Sequence, residues 1–188
     1  MSAKFAFNHQ GTIYLVGDIP EIKRGKQLNH QDLGIVYEND YFVVAAYDDT
    51  HLSQLLIENE SWLLNTDSKI DKSYIVKNII NPWVAKAKEL NLVDESKVKT
   101  NRHFIIHQQT IYQLLNNFLV VEIQDFAAFD QEERIIFKQL SKINQVADLV
   151  SHVHQMMSEI YQNFNHYERQ YYIFNTKTKT YVLDEVAL

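Results

Sequence analysis

The sequence predicts a layered α+β fold, in which two stacked antiparallel sheets are each covered by a pair of helices. The first observation is that strand-like and helix-like patterns come in blocks: four strands, two helices, about three strands, two helices and two strands. The second is that 46% of the 188 residues are hydrophobic, which supports a substantial core. The third is the scarcity of breakers, with 4 Gly and 2 Pro, so no linker divides the chain. One domain spanning residues 1–188 is therefore expected.

Two hairpins are predicted in the first block. Residues 3–8 alternate, with Phe5 and Phe7 on one face, and a short turn leads to a second strand over 12–16. Residues 33–37 and 41–47 form the next hairpin, turning at Glu38-Asn39-Asp40. Asn and Asp favour such turns because they tolerate the left-handed conformation.

Two helices should follow this block. Residues 48–50 offer N-cap side chains, and apolar residues recur at helical spacing from Leu52 to Leu63. The second helix spans about 71–90, where Pro82 should kink or split it.

The second half of the chain repeats the strand and helix blocks. Its predicted elements are strands over 103–107, 110–115 and 119–126, a short helix capped by Asp130 and ending near 140, a long amphipathic helix over 146–164, and a hairpin of 171–175 with 180–183. The long helix has the most regular apolar face, and Met156-Met157 on it is interpreted as core.

Composition excludes several classes of function. The chain has no Cys, so neither a disulfide nor a thiolate site is expected, and a reducing compartment such as the cytoplasm fits. A formal net charge of -6 does not favour nucleic-acid binding, and the short basic run 23–26 is interpreted as a turn. Neither a signal peptide nor a membrane span is predicted.

The opening residues carry a family resemblance. Residues 2–18 read SAKFAFNHQGTIYLVGD, which is a strand, a turn and a second strand ending at Gly-Asp. Asn39-Asp40 before an apolar strand and Phe126-Ala127-Ala128-Phe129 before a helix continue the pattern. Together they resemble the proteasome-type branch of the N-terminal-nucleophile (Ntn) hydrolases, and HslV in particular. The resemblance implies an αββα sandwich and ring-forming oligomers.

The resemblance also implies a site. Ser2, exposed by removal of Met1, matches the family's nucleophile, and its own α-amine would serve as the base. Asp18 matches the family's Asp, which orients the site through a nearby Lys. Ser2 and Asp18 are therefore the predicted catalytic residues.

Three departures argue against this chemistry. The position of the family's Lys falls at 33–34, which is Leu-Gly, and the lysines within 23–26 lie too far back, so Asp18 is expected to be an ordinary strand-end or turn residue. The family's oxyanion Gly is replaced within Tyr47-Asp48-Asp49, where carboxylates would oppose a developing negative charge. The family's Gly-Ser-Gly motif reads Phe129-Asp130-Gln131.

Metal and cofactor sites are not predicted. His103 and His107 flank a strand, and four residues along a strand span about 13 Å, too far for one metal ion. His152 and His154 are two apart on a helix and point to different faces.

The favoured hypothesis is a catalytically inactive proteasome-like protein that acts through homo-oligomerisation or a protein partner, without nucleic acid or membrane. Exposed apolar residues on the helices over 52–64 and 75–90 would be its assembly surface. The first alternative is an N-terminal-serine peptidase or amidohydrolase that uses Ser2 and Asp18. The second is an α+β module with a ligand between its layers, which a polar pocket ringed by Tyr and His, away from residue 2, would favour.

Overall fold

The computed structural model describes residues 2–19, 27–47, 51–59, 69–91, 102–131, 134, 149–163 and 170–186. Within them the strands are β1 (Ser2–His9), β2 (Thr12–Ile19), β3 (Ile35–Glu38), β4 (Val43–Ala46), β5 (His103–His107), β6 (Thr110–Leu114), β7 (Val120–Ile123), β8 (Phe126–Ala128), β9 (Gln170–Asn175) and β10 (Thr180–Glu185). The α-helices are α1 (His51–Glu58), α2 (Lys72–Ile75), α3 (Asn81–Glu89) and α4 (Leu149–Asn163).

The strands form two antiparallel sheets of five strands each. Sheet A has the order β10-β9-β2-β1-β8, and sheet B has the order β3-β4-β5-β6-β7. In sheet B, strands that are neighbours in the sheet are also consecutive in the chain. In sheet A, the N-terminal strands β1 and β2 pair with β8 and β9, which come much later in the sequence. The N-terminal hairpin therefore lies at the centre of sheet A, between β9 and β8.

Three apolar clusters define the layers. The cluster between the sheets includes Leu15 and Phe174 from sheet A and Phe104 and Ile111 from sheet B. A second cluster packs the other face of sheet B under α1, α2 and α3, with Trp83 fully buried. The third packs the other face of sheet A under α4; its members include Phe5, Val16, Met156, Met157, Ile160 and Tyr171. The predicted four-layer αββα sandwich is confirmed, as is the burial of Met156-Met157.

One predicted strand is wrong. Residues 119–126 form not one strand but the end strands of two sheets, because β7 belongs to sheet B and β8 to sheet A. The chain crosses at Asp125, whose carbonyl accepts a hydrogen bond from the amide of Asn8 at 2.7 Å. The Asp125 carboxylate also accepts one from the amide of Phe126 at 2.8 Å. These hydrogen bonds stabilise the crossover between the sheets. The apolar pattern of residues 119–126 does not reveal that the chain changes sheets there.

The strand predicted over 33–37 begins two residues later in the structure, at Ile35. Gln31–Leu33 forms a 3₁₀ turn that ends at Gly34, where φ is 76°. A left-handed φ suits Gly because it has no Cβ. The strand therefore starts at Ile35 and the buried Leu33 lies outside it.

The helix predicted over 71–90 is continuous, but it changes from α to π and back to α along its length. Asp71 caps it by accepting from the amide of Tyr74 at 2.9 Å. The helix widens into a π-helical segment over Val76–Ile80 and returns to α at Asn81, next to Pro82. Because Pro lacks an amide donor, a wider turn before it accommodates the missing hydrogen bond.

Other boundaries differ by a few residues, since β2 extends to Ile19 and β4 is confined to Val43–Ala46. The predicted N-caps at 48–50, the basic run 23–26, the end of the first helix and the short helix towards 140 lie wholly or mostly outside the described residues. Among the helices that the structure describes, none is long and apolar enough to cross a membrane.

Candidate functional site

A buried ion pair lies at the end of the N-terminal hairpin. The Nζ of Lys4 is 2.9 Å from Oδ2 of Asp18, and both side chains are at most a tenth exposed. The hydroxyl of Tyr161, on α4, donates to Oδ1 of the same carboxylate at 2.6 Å. Asp18 does lie near the end of its strand, as predicted, but the expectation that it lacks a cation is wrong.

The local geometry of β1 explains how Lys4 reaches Asp18. Ser2 pairs with Asp18 and Ala3 with Gly17, but Phe5 pairs with Val16, so Lys4 forms a bulge. A bulge leaves one residue without a partner and turns its side chain away from the regular alternation. The cation therefore comes from β1, two residues from Ser2, and not from the strand after Asp18 where the resemblance implies it. A lone Lys inside an otherwise apolar strand was the available signal.

The pair lies on the face of sheet A that α4 covers. Asp18 and Val16 are two residues apart on β2 and share a face, and Val16 belongs to the cluster packed under α4. Tyr161 comes from that helix and is itself 1% exposed. Removing either charge would take the counter-ion from a buried charge, which costs several kcal/mol, typically about 3–5.

A second cluster closes the space between the sheets at the same end of the strands. Tyr47 follows β4, and its hydroxyl donates a hydrogen bond to the carboxylate of Asp130. The Tyr47 ring contacts both Arg102, whose Cζ is 4.2 Å from the ring centroid, and Phe129, whose centroid is 4.9 Å away. Phe129 also packs on Phe104, of the core between the sheets, at 4.7 Å.

This second cluster brings together residues from two of the three segments that depart from the family pattern, 47–49 and 129–131. Tyr47 is the residue directly after β4, and its amide donates to the carbonyl of Arg102 at 3.0 Å. The carboxylate of Asp130 accepts a hydrogen bond from Tyr47, and the helix that Asp130 is predicted to cap lies mostly outside the described residues. The backbone before it is also held, because the carbonyl of Ala128 accepts from Gln113 at 3.0 Å and Arg134 at 2.8 Å.

The histidines are held by different partners. His103 is fully buried and shares a hydrogen bond of 3.0 Å with Ser53, while the Nδ1 of His107 is 2.9 Å from the carbonyl of Tyr41. On α4, the Nδ1 of His154 is 2.9 Å from Asp184. Within the described part of the chain, three His, Asp or Glu side chains nowhere converge as a metal site would require.

Comparison with known proteins agrees with this architecture. No protein-family model matches the sequence, and no curated protein matches it. Among solved structures, Thiobacillus denitrificans BPH in complex with epoxomicin is similar over 100% of both chains, with a TM-score of 0.56 and 12% identity. Eukaryotic HslV from Trypanosoma brucei is similar over 100% of both chains, with a TM-score of 0.53 and 11% identity.

A second structure of Thiobacillus denitrificans BPH is similar over 79% of this chain and 82% of that one, with a TM-score of 0.51 and 16% identity. At such identities the likeness shows the fold alone, and the chain has a proteasome-like αββα sandwich similar to the BPH and HslV structures. Activity has to be argued from the residues themselves.

Proposed function

We propose that this chain is a catalytically inactive protein of proteasome-like fold, which acts by assembling with copies of itself or with a protein partner. The observation that carries the proposal is the Tyr47–Asp130 hydrogen bond, with Arg102 and Phe129 packed against the Tyr47 ring. Phe129 and Asp130 stand where the resemblance expects a small-residue motif, and Tyr47 directly precedes the position where it expects a glycine.

Three physical arguments connect this region to inactivity. Acyl transfer needs an amide directed at the developing oxyanion, and the resemblance places that amide just after Tyr47, in Asp48-Asp49, where carboxylates would oppose the negative charge. Asp130 stands at the Ser of the family's Gly-Ser-Gly motif, so a carboxylate replaces a hydroxyl there. The aromatic rings further occupy volume that the small residues of the family leave open.

The direct test is the state and reactivity of residue 2. Intact mass of the protein from its native host shows whether Met1 is removed, and a second sample is treated with epoxomicin, the compound bound to BPH in the solved complex. A protein without Met1 that gains no adduct is the expected result. An adduct that maps to Ser2, and that Ser2→Ala abolishes, would contradict the proposal.

Assembly is tested separately. The apolar residues that the sequence analysis assigned to an exposed surface are mostly buried, since Leu55, Ile75 and Trp83 contribute to the core of the outer layer. Leu90 is 47% exposed and remains available at the end of α3. Light scattering after size exclusion should detect an oligomer that Leu90→Asp weakens, and a monomer at high micromolar concentration would contradict self-assembly.

A second candidate function is supported by the Lys4–Asp18 pair. The backbone register places Ser2 opposite Asp18, and Lys4 supplies the cation expected beside that carboxylate. An N-terminal-serine peptidase or amidohydrolase would use Ser2 as nucleophile, with Asp18 and Lys4 orienting it. This candidate predicts that Ser2→Ala and Lys4→Met both abolish hydrolysis of peptide or amide substrates, with Ser2→Ala leaving the stability unchanged.

The remaining expectations belong to the same proposal. We place the protein in the cytoplasm because its sequence, which contains no Cys, suits a reducing compartment. We also treat residues 1–188 as one cooperative domain, for which urea unfolding followed by fluorescence and by circular dichroism should give coincident transitions.

A further inference from the structure

Among the described strands, β10 has the longest and most regular open edge. The strand order leaves β3 and β7 at the edges of sheet B, and β8 and β10 at the edges of sheet A. β8 has 3 residues, β7 has 4, and β3 has 4 with an irregular register against β4. β10 has 6 residues, contains no Pro and pairs with β9 without a bulge. It therefore lacks the features by which edge strands resist pairing with another strand.

The backbone of β10 presents hydrogen-bonding groups to this edge. The amide of Thr176, directly after β9, donates to a carbonyl of β2 at 3.1 Å. Backbone groups along a strand alternate between its two neighbours, so Ile173, three residues earlier, bonds towards β10 and to its partner Val182. The residues on either side of Val182, which are Tyr181 and Leu183, therefore direct their amides and carbonyls away from sheet A.

Exposed apolar side chains lie beside the same edge. Val182 is 49% exposed, and it lies on the face of sheet A that α4 covers because its partner Ile173 belongs to that cluster. Two residues further along this face, Asp184 contacts the Nδ1 of His154 on α4 at 2.9 Å. Val150 precedes His154 by one helical turn and is 37% exposed. Both valines therefore lie close to the His154–Asp184 contact and add apolar surface to the open edge.

The charges of this segment have opposite signs at its two ends. Lys177 and Lys179 precede β10, Asp184 and Glu185 are its last two residues, and residues 180–183 carry no charge. An antiparallel copy of the same strand would set each basic end opposite an acidic end, whereas a parallel copy would set like charges together. The pattern is thus self-complementary, as a contact between identical subunits about a two-fold axis requires.

We propose that two copies of this chain associate through β10, antiparallel about a two-fold axis, and join their A sheets into one continuous sheet. With Val182 opposite its own copy, the outward-facing Tyr181 pairs with Leu183 of the second copy, and Lys179 lies opposite Glu185. This inference rests on the self-assembly in the proposed function and deepens it, because it names a second copy as the partner and β10 as the contact.

A cysteine at position 182 tests this register directly, because the chain contains no Cys of its own. In the proposed pairing, the two copies of residue 182 form a non-hydrogen-bonded pair with Cα atoms about 4.5 Å apart, a separation that a disulfide spans. Val182→Cys should therefore form a covalent dimer when oxidised glutathione is added at low micromolar protein concentration. Val121→Cys is the matched control, at a 38% exposed valine on the edge strand β7, and should form little covalent dimer.

Sedimentation equilibrium of the full-length protein measures the association itself. Val182→Asp places two carboxylates opposite each other and should weaken dimerisation at least about tenfold, whereas Val121→Asp should leave it unaltered. Glu185→Lys sets two lysines opposite each other and should weaken it as well. The double variant Lys179→Glu/Glu185→Lys reverses both ends of the contact and should restore association. Circular dichroism shows that each variant compared is folded.

The outcomes distinguish this inference from the proposed function. Wild-type protein that stays monomeric at high micromolar concentration would contradict both self-assembly and the β10 contact. An oligomer in which the variants at 182 and 121 behave alike, or in which the double charge reversal restores nothing, would overturn the β10 contact alone.

Discussion

The buried Lys4–Asp18 pair gives the sharpest stability prediction. At the observed 2.9 Å, two unit charges attract by roughly 6 kcal/mol for an effective dielectric constant near 20, before desolvation is subtracted. Both side chains are at most a tenth exposed. Lys4→Met or Asp18→Asn alone should therefore lower the free energy of unfolding by about 3–5 kcal/mol, because each removes the counter-ion of a buried charge.

The double variant Lys4→Met/Asp18→Asn removes both charges and should recover part of the loss, with a coupling energy of about 2–3 kcal/mol. Asn keeps an oxygen that can still accept the hydrogen bond from Tyr161. Urea denaturation at neutral pH, followed through circular dichroism, measures all four free energies of unfolding.

An exposed pair with a similar distance provides the matched control. Lys86 and Glu89 are 3.1 Å apart on α3, but their side chains are 37% and 66% exposed. Lys86→Met, Glu89→Gln and their combination should each change stability by less than about 1 kcal/mol. If Lys4 and Asp18 behaved additively, or no differently from the exposed pair, the argument from burial would be refuted.

The remaining predictions concern other buried polar side chains. Tyr172 has a buried hydroxyl for which the described structure provides no partner, so Tyr172→Phe should keep or raise the free energy of unfolding, by up to about 1 kcal/mol. Tyr171→Phe, one residue earlier, loses a hydrogen bond of 2.9 Å to Asp184 and should cost about 1–2 kcal/mol in the same denaturation assay. Burial opposes ionisation of Asp184, but hydrogen bonds from Glu185, Tyr171 and His154 lower its pKa overall. The ionised Asp184 thus stabilises the fold above its ordinary pKa of about 4, and this contribution is lost as pH falls through the lowered pKa. The loss of unfolding free energy caused by Asp184→Asn should therefore be smaller at pH 3 than at pH 7. Finally, Ser53→Ala removes a hydrogen bond to a fully buried imidazole and should cost about 1–3 kcal/mol by thermal or urea unfolding.

Local patterns predicted most of the secondary structure. β1, β5 and β9 begin and end within about one residue of their predicted limits, because alternation of apolar side chains is a property of the strand itself. The long apolar face of α4 was evident for the same reason. The prediction of one strand over 119–126 was wrong because β7 and β8 follow one continuous apolar pattern. They are separated only by pairing with strands of different sheets.

In the candidate site, too, the sequence predicted some features and strand pairing decided others. The sequence indicated Asp18 by its spacing from Ser2, and it indicated Tyr47 and Asp130 as departures from the family. It could not indicate that Lys4 faces Asp18, since this depends on a bulge in the pairing of β1 with β2.

What the sequence by itself determined about this protein is the order and type of its elements, and through them the αββα class. Local periodicity and turn residues act within a few positions and can be read without knowing the partners. The tertiary structure alone decided which polar groups meet: Tyr161 with Asp18 across 143 residues, Tyr47 with Asp130 across 83, and Lys179 with Asn39 across 140. Such contacts depend on strand register and on how the layers stack, both of which arise from the packing of the whole core.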